Sequence, residues 1–489
     1  MNQKCIKVTS SFLILIAVTS IVLVDNCSAS SFHGVITQST TWTKQNSPYT
    51  LDGPTSIGEG VTVTVEPGVT VNLNGYYLQV NGTLIARGTV NEKIYFTNGQ
   101  VIYTTSSPGG TTFEYTVTET LQTATTLTIT RNTFTALDAG GSSTVTYNNI
   151  ENLRAEGNSV VTNNQITKTC YVGGSAKISS NNIQARLIFT RGCTGEVSNN
   201  QISDGIHCDI GGGDVTITNN QITNINAYPL VFIAGAKATV TDNSIFGQNN
   251  PSCGISVGGS YHSAIQTEVT IERNQISGCE TGISISNSWV TVKNNAVYNN
   301  DLGISIWLLS SYNRPPPGTN PVTIEKNSIA KNLAGIQYQP YELTATISYN
   351  NIQENSEYNF KLVDTTSDVT VANNYWGTTS TDEISQKIYD YNYDFNLGKV
   401  NFTPILKSIV AGAPNIPSNT PTMSPTVNPT IQPTTNPTIT STPITIPTQP
   451  TTDTQLEFNL VEIAILLTLI IIAILLAGLI VTLKQNRKK

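Results

Sequence analysis

One short stretch of the chain brings together side chains that could carry out acid–base chemistry. They are Asp204, His207, Asp209 and, close behind them, Asp214. Glycosidases use two carboxyl groups at a defined separation, and lyases use a base, commonly with a cation such as Ca²⁺. If Ile206 and Cys208 point inward along a strand, His207 points to solvent. A solvated histidine beside turn aspartates explains the same pattern. The four residues are therefore weak catalytic candidates, and no cofactor is expected unless the protein is an enzyme.

A second group of residues could recognise a sugar chain. It consists of Trp289, Tyr312, Arg314, Tyr261, His262 and Trp307. Most of them lie in or beside two long insertions, 258–264 and 308–318, which would form walls about 10 Å apart on strands stacked about 4.8 Å apart. Trp289 would then be the floor of a groove, and aromatic faces with arginine suit acidic sugars. Surface loops also vary in length without binding anything, and that alternative stays open.

The element that would position both groups is a motif that recurs along the chain. A hydrophobic-Thr-hydrophobic run is followed by Asn-x-Ile, as in Val215–Ile222. Its asparagine recurs at Asn132, Asn148, Asn164, Asn181, Asn200, Asn220, Asn243, Asn274, Asn295, Asn327, Asn350 and Asn374. Steps of 16 to 32 residues separate these asparagines. A motif that recurs so often with loose spacing indicates a solenoid, and its asparagines are interpreted as structural.

The composition of the repeat predicts strands. Val, Thr and Ile alternate with a period of two, and 16 to 24 residues can make one turn of three short strands. We predict that each asparagine lies at a bend, where its amide bonds the backbone and the residue tolerates a left-handed conformation. Stacked coils would join these amides in a ladder. A second motif, Gly-Ile-x-hydrophobic, supports the register at Gly205, Gly254, Gly282, Gly303 and Gly335.

These two motifs resemble the PbH1 repeats of the right-handed parallel β-helix family, which has the pectin lyase-like fold. The resemblance covers Val61 to Pro404, and it implies an all-β, single-stranded solenoid. The Asn373–Gly377 segment resembles a closing motif of surface members, in which Trp376 would plug the core. Such folds host lyases, hydrolases, isomerases, adhesins and copper-delivery proteins, so the resemblance does not determine the function.

The rest of the chain predicts a surface protein. Residues 1–29 read as a signal peptide, and residues 411–455, rich in Pro and Thr, read as an extended stalk. The apolar run 463–483 is long enough for one membrane helix, and the basic tail 484–489 should stay in the cytoplasm. Between them, the β-helix is predicted over 30–410, with entry coils and cap at 53–98, repeats at 99–378 and a C-terminal cap at 379–410. Within that cap, Tyr389, Tyr391, Tyr393 and Phe395 alternate as an edge strand would.

Cysteines and glycosylation motifs add smaller expectations. Five cysteines remain after signal-peptide removal, and Cys253 and Cys279 flank a bend in adjacent coils, so they are a candidate disulfide. Cys208 alternates inward and reads as a buried thiol. Asn81 and Asn401 begin glycosylation motifs without a blocking proline.

Together these features predict a cell-surface-anchored β-helix protein with a recognition or structural role. Its expected partners are a glycan or cell-envelope polymer and the membrane, which one C-terminal span would cross with the N-terminal ectodomain outside the cell. A net charge of −7 with 12% charged residues argues against a nucleic-acid surface. The alternative is a surface-anchored polysaccharide lyase or glycoside hydrolase. The oligomeric state and the ligand stay open.

Overall fold

The computed structural model describes residues 30–209, 211–224, 229–248, 251–258, 266–307, 321–340 and 344–418. The predicted signal peptide, nearly all of the predicted stalk, the membrane helix and the basic tail lie outside these residues. Within the described part of the chain, no helix is long and apolar enough to cross a membrane.

Short parallel strands make up almost all of the regular structure. A 26-stranded sheet, here called the large sheet, contains Ser30–Ile36, Tyr49–Ile57, Thr70–Asn72, Tyr77–Val80, Ile94–Tyr103, Thr116–Thr123, Thr133–Ala139, Asn149–Ala155, Gln165–Val172, Asn182–Ile183, Leu187–Phe189, Gln201–Ile202, Ile206–Asp209, Gln221–Asn224, Val231–Ala234, Ser244–Gly247, Cys253–Gly258, Gln275–Ser277, Thr281–Ser286, Ala296–Tyr298, Leu302–Trp307, Ser328–Ala330, Ala334–Gln339, Asn351–Gln353, Tyr358–Leu362 and Ile388–Tyr389. A 15-stranded sheet, here called the second sheet, contains Thr40–Trp42, Thr62–Val65, Thr83–Arg87, Thr112–Glu114, Thr128–Thr130, Thr144–Thr146, Val160–Thr162, Lys177–Ser179, Glu196–Ser198, Asp214–Thr218, Lys237–Thr241, Glu268–Glu272, Trp289–Lys293, Val322–Glu325 and Ala345–Ile347. Val369–Thr370 and Val400–Asn401 form a separate pair, and the described helices are the 3-10 turn Lys44–Asn46 and the α-helix Thr381–Ser385.

One coil illustrates how the chain winds. Gln275–Ser277 and Thr281–Ser286 belong to the large sheet, and Trp289–Lys293 belongs to the second sheet. The chain then returns, and Gln275 and Ile276 pair in parallel with Ala296 and Val297 of the next coil. In shorter coils the first two strands are continuous, as in Thr133–Ala139. The expected coil of three short strands is therefore confirmed in the longer coils and simplified in the shorter ones.

Alternation along each strand builds the core. In Thr281–Ser286, Ile283 and Ile285 are fully buried, while Ser284 and Ser286 face outward. Ile283 pairs in register with Ile304, and the same inward column continues through the neighbouring coils. Each buried aliphatic side chain contributes about 1.5–3 kcal/mol, so the stacked columns are the main source of stability.

The asparagine ladder is present, and it is continuous. Along the twelve asparagines predicted from the motif, each Nδ2 donates to the Oδ1 of the next, at 2.9–3.1 Å. The same Oδ1 accepts the backbone N–H of the preceding rung, at 2.8–3.0 Å. These asparagines are buried, so water does not reach the bend. Their amides make the hydrogen bonds to the backbone that water would otherwise make.

One detail of the ladder prediction is wrong. The left-handed conformation belongs to the residue before each ladder asparagine and not to the asparagine itself. These residues have φ of 54–60° and are Arg131, Tyr147, Asn163, Ser180, Asn199, Asn219, Asp242, Arg273, Asn294, Lys326, Tyr349 and Asn373. A left-handed residue with a Cβ costs roughly 1–2 kcal/mol. The amide bonds of the following asparagine offset that cost, so side chains as large as tyrosine occupy the corner.

A second, shorter ladder lies at another corner of the coils. The Nδ2 of Asn300 donates to Asn332 Oδ1 at 3.1 Å, and Asn332 in turn donates to Asn355 at 3.0 Å. Cys279 occupies the preceding rung, where its N–H donates to Asn300 Oδ1 at 3.1 Å. This ladder was not predicted, because a cysteine at its first rung and only three asparagines hide the repeat.

Aromatic side chains close the two ends of the core. At the first coils, Trp42 is 1% exposed and stacks on Tyr49 with ring centroids 5.4 Å apart. At the other end, Trp376 is 3% exposed and lies edge-on to Phe402, which confirms the expected plug. Helix Thr381–Ser385 buries Ile384 against the same end.

The edge strand predicted over Tyr389–Phe395 is wrong beyond its first residue. Only Ile388–Tyr389 pairs with the last coil. The buried carboxylate of Asp390 accepts the N–H of Asn392 at 3.0 Å and that of Val400 at 3.0 Å, which bends the chain into turns. The later aromatics are consequently exposed, and Phe395 is 78% exposed.

Candidate functional site

Two tryptophans lie at the corner where the large sheet passes to the second sheet. Strand Thr281–Ser286 ends, and a tight turn follows in which the Ser288 hydroxyl donates to the carbonyl of Ser286 at 2.7 Å. Trp289 then begins its strand at a half-buried, outward position opposite Glu268 of the preceding coil. A tight turn therefore leads into Trp289.

Trp307 lies on the next coil, at the end of strand Leu302–Trp307. Its side chain is 43% exposed, and its Nε1 donates to Ser284 Oγ at 3.4 Å. In register it pairs with Ser286 on one side and Gln339 on the other. Trp307 therefore presents an exposed ring at the end of its strand.

The other residues of the predicted sugar groove lie outside the described residues. They are Tyr261, His262, Tyr312 and Arg314. The described strands end at Gly258 and Trp307, directly before the two insertions that contain these side chains. The walls of the groove therefore stay a prediction.

The weak catalytic candidates are distributed over both sheets. Asp204 Oδ1 lies 3.9 Å from Arg186 Nη2. His207 is half-buried and stacks on Phe232 of the next coil, with ring centroids 5.0 Å apart and an interplanar angle of 20°. Its neighbours Ile206 and Cys208 are buried, so the expected alternation holds.

Asp214 and Asp209 complete that set. Asp214 is exposed and begins a strand of the second sheet, where it pairs in register with Lys237. Asp209 ends strand Ile206–Asp209, and its side chain lies outside the description. Among the described residues, no group of three or more His, Cys, Asp or Glu side chains could hold a metal ion.

Cys253 and Cys279 are free thiols in the structure, so the candidate bridge between them is not formed there. Burial raises the pKa of Cys279 to about 12 and that of Cys253 to about 11. Cys208 is fully buried, as expected. Thiols kept protonated in this way are poor nucleophiles and poor metal ligands.

The two glycosylation candidates differ in their surroundings. Asn81 is half-buried, and its Nδ2 donates to Ser56 Oγ at 3.1 Å. Asn401 is exposed, and its Oδ1 accepts the Thr403 hydroxyl at 3.0 Å. Modification of either residue stays a prediction, and Asn401 presents its amide better.

A groove that the motifs did not predict follows the ladder corner of the first repeats. We call it the corner groove. It has a volume of about 350 Å³ and is lined by Lys93, Tyr115, Arg131, Tyr147 and Asn163 along the corner and by Thr133, Asn149 and Gln165 beside them. In the sequence, the signal for this groove is the residue before each ladder asparagine, as at Arg131, Tyr147 and Asn163.

Comparison with known proteins supports the fold and assigns no functional residue. The family model described as the right handed beta helix region matches residues 170–316 and, in an overlapping match, 204–376. No curated protein and no solved structure matches the chain. From the family match and the continuous parallel stack, the chain is a right-handed parallel β-helix repeat protein.

Proposed function

We propose that this β-helix is displayed at the cell surface and recognises a glycan or envelope polymer at the corner that carries Trp289 and Trp307. The observation that supports the proposal is the 43% exposure of Trp307. The chain has four tryptophans, and the two that close the core, Trp42 and Trp376, are 1% and 3% exposed.

Exposure of a large ring has a physical cost that binding would remove. Water contacts much of the indole of Trp307, whose described polar contact is one long hydrogen bond to Ser284. An apolar face with one polar edge suits a pyranose ring, which also combines an apolar face with hydroxyl groups. The half-buried ring of Trp289 follows the turn after Ser286, the residue that pairs in register with Trp307, and would extend the surface.

Two features of the sequence support display outside the cell. The apolar run 463–483 carries no charge, and a stretch rich in Pro and Thr separates it from the β-helix. Such a stretch extends by about 3.1 Å per residue when it adopts a polyproline conformation. The corner would then be held well clear of the membrane, where it could reach polymers of the envelope.

The test uses the full chain in detergent on a glycan array, followed by calorimetry with a bound glycan. Trp307→Ala and Trp289→Ala should each weaken binding at least tenfold, about 1.4 kcal/mol. Leu333→Ala is the matched control, because Leu333 is 44% exposed and lies outside this corner. The proposal fails if the control and the tryptophan variants bind alike, or if Trp289→Ala simply unfolds the protein.

A further inference from the structure

The corner groove has a regular construction. Its first wall is a row of residues at one corner, one from each coil, which includes the residues that precede the first ladder asparagines. Lys93 begins the row, because Ile94 pairs with Thr116, and Tyr115, Arg131, Tyr147 and Asn163 follow. Neighbouring coils are about 4.8 Å apart, so the row presents one side chain at each of these steps. A ligand with a similar repeat could contact every coil in the same way.

Aromatic and cationic groups alternate along this wall. The Arg131 guanidinium carbon lies 5.7 Å from the ring centroid of Tyr115 and 5.7 Å from that of Tyr147. The tyrosine rings therefore hold the arginine in place, at the spacing of favourable cation–π contacts. Tyr147 is nevertheless 47% exposed, and Arg131 keeps 37% of its side chain exposed. Both are available to a ligand without rearrangement.

The charge of the wall is positive in a protein of net charge −7. Glu114 is the carboxylate beside it, and it is shared between Arg131 at 3.1 Å and Arg87 at 3.4 Å. Lys93 forms no ion pair with any residue that the structure describes. Among the described residues, Lys93 and Arg131 line the groove and no carboxylate does, which leaves the groove with an excess of positive charge for an anionic ligand.

The opposite side of the groove is a row of hydrogen-bonding side chains. Thr133, Asn149 and Gln165 are in register on successive coils, and the row continues through Asn182 and Gln201. These amides can donate and accept hydrogen bonds, as the hydroxyl groups of a sugar require.

The groove also extends beyond the arginine. A second cavity of about 260 Å³ shares Asn163 with the first and is lined by Asn182 and Gln201. In it, Asn182 Nδ2 is buried and has no hydrogen-bond partner. Buried donors without partners are rare, and an acceptor on a ligand would satisfy this one. From Lys93 to Asn199 the row takes six steps, which makes the combined groove about 29 Å long.

From these observations we infer that the corner groove binds an extended, carboxylate-bearing polysaccharide, with Tyr147 against a sugar face and Arg131 and Lys93 on the carboxylates. The inference rests on the proposed glycan recognition, and it adds a second site with a stated ligand class. Single-stranded nucleic acid also combines anionic charge with stacking. It requires a cation for many successive phosphates, however, and the wall offers only a few.

The chain supplies unusually close controls for the test. Tyr349 occupies the same backbone position as Tyr147, with φ of 58° in both, and it is 48% exposed, but it lies far along the ladder. Arg273 likewise matches Arg131, with φ of 55° and 59°. Asparagine occurs naturally at this position, for example at Asn163, so Tyr147→Asn and Tyr349→Asn should both fold.

The experiment measures binding of the full chain in detergent to hyaluronan, heparosan and alginate oligomers, each compared with its carboxyl-reduced form. At least one carboxylated chain should bind about tenfold more tightly than its reduced form. Tyr147→Asn should weaken that binding about tenfold, and Arg131→Gln should remove the preference for carboxylates. Tyr349→Asn and Arg273→Gln should bind like the unaltered protein. Trp307→Ala, which alters the other proposed site, should leave the dependence on Tyr147 and the preference for carboxylates unchanged.

Three results would overturn the inference. The first is that no carboxylated chain binds, and the second is that Tyr147→Asn and Tyr349→Asn lose binding equally. The third is that single-stranded oligothymidylate binds more tightly than any of the glycans. If glycan binding depends on Trp307 and not on Tyr147, the proposed function stands and the corner groove is not a site. If it depends on Tyr147 alone, the groove is the site and the tryptophan corner is not.

Discussion

Removing one rung from the middle of the asparagine ladder should destabilise the fold more than the loss of one hydrogen bond would. Asn220 is 1% exposed, and its Nδ2 donates to Val197, Thr218 and Asn243 at 2.9–3.0 Å. Its Oδ1 accepts the N–H and the Nδ2 of Asn200 at 2.9 and 3.0 Å. Asn220→Ala would therefore remove five hydrogen bonds at once.

The magnitude follows from which groups lose their partner. The Asn200 N–H stays buried without an acceptor, which costs about 1–3 kcal/mol. The three oxygen atoms that accept from Asn220 Nδ2 also lose a hydrogen bond. They add only about 1 kcal/mol more, because several of them keep another donor. We expect the free energy of unfolding to fall by about 3 kcal/mol, and the effect should be local at first, since each coil contacts mainly its neighbours.

Urea unfolding of the full chain, followed by circular dichroism, measures this change. Asn149→Ala is the control, because Asn149 is exposed and lies next to the rung Asn148. It should change the free energy of unfolding by less than about 0.5 kcal/mol. Equal effects of the two variants, or a loss below that value for Asn220→Ala, would show that the ladder does not hold the coils together.

Two further predictions concern single side chains. Burial raises the pKa of Cys170 to about 12, above its unfolded value of about 8.5, so its contribution to stability is complete below pH 8.5 and is lost as pH rises toward 12. The urea midpoint of unfolding should therefore fall over that pH range. Cys170→Ser, whose hydroxyl does not titrate there, should show a smaller fall. An equal fall in both proteins would mean that the thiol is not the cause. If the host glycosylates the protein, Asn401→Gln should remove one glycan from the intact mass while Asn81→Gln removes none, because Asn401 is exposed and the Asn81 amide donates to Ser56. Loss of mass from Asn81→Gln instead would contradict the reasoning from exposure.

The fold could be predicted from the sequence because every coil repeats the same residue pattern and the same interactions. Asn220 and its equivalents recur in one setting, so their burial and their ladder could be expected from the pattern alone. The conformation of Tyr147 could not, since large side chains rarely adopt positive φ and only the completed ladder compensates for it. The exposed turns after Tyr389 were missed for a related reason. Their direction is set by the hydrogen bonds of one buried carboxylate, Asp390.

The candidate sites were harder to predict than the fold. Trp307 could be placed at the end of a strand because its Gly-Ile motif fixes the register. Tyr115, Arg131 and Tyr147 are separated by 16 residues at each step, and no local pattern marks them as neighbours. They meet only because the ladder brings every corner residue into line. Outward-facing residues carry no hydrophobic signal, so such an alignment becomes visible only when the register of the whole stack is known.

The ladder has a consequence for how proteins of this construction can diversify. The hydrogen bond from Nδ2 of one rung to Oδ1 of the next is 3.0 Å long whether 16 residues or 32 residues separate the two asparagines. The pitch of the stack is thus independent of the amount of chain in a coil, and added residues emerge at the other corners. Insertions there can lengthen, shorten or be exchanged while the neighbouring coils keep their alignment. Evolution can therefore alter what such a scaffold presents at one edge without reworking the edge that holds it together.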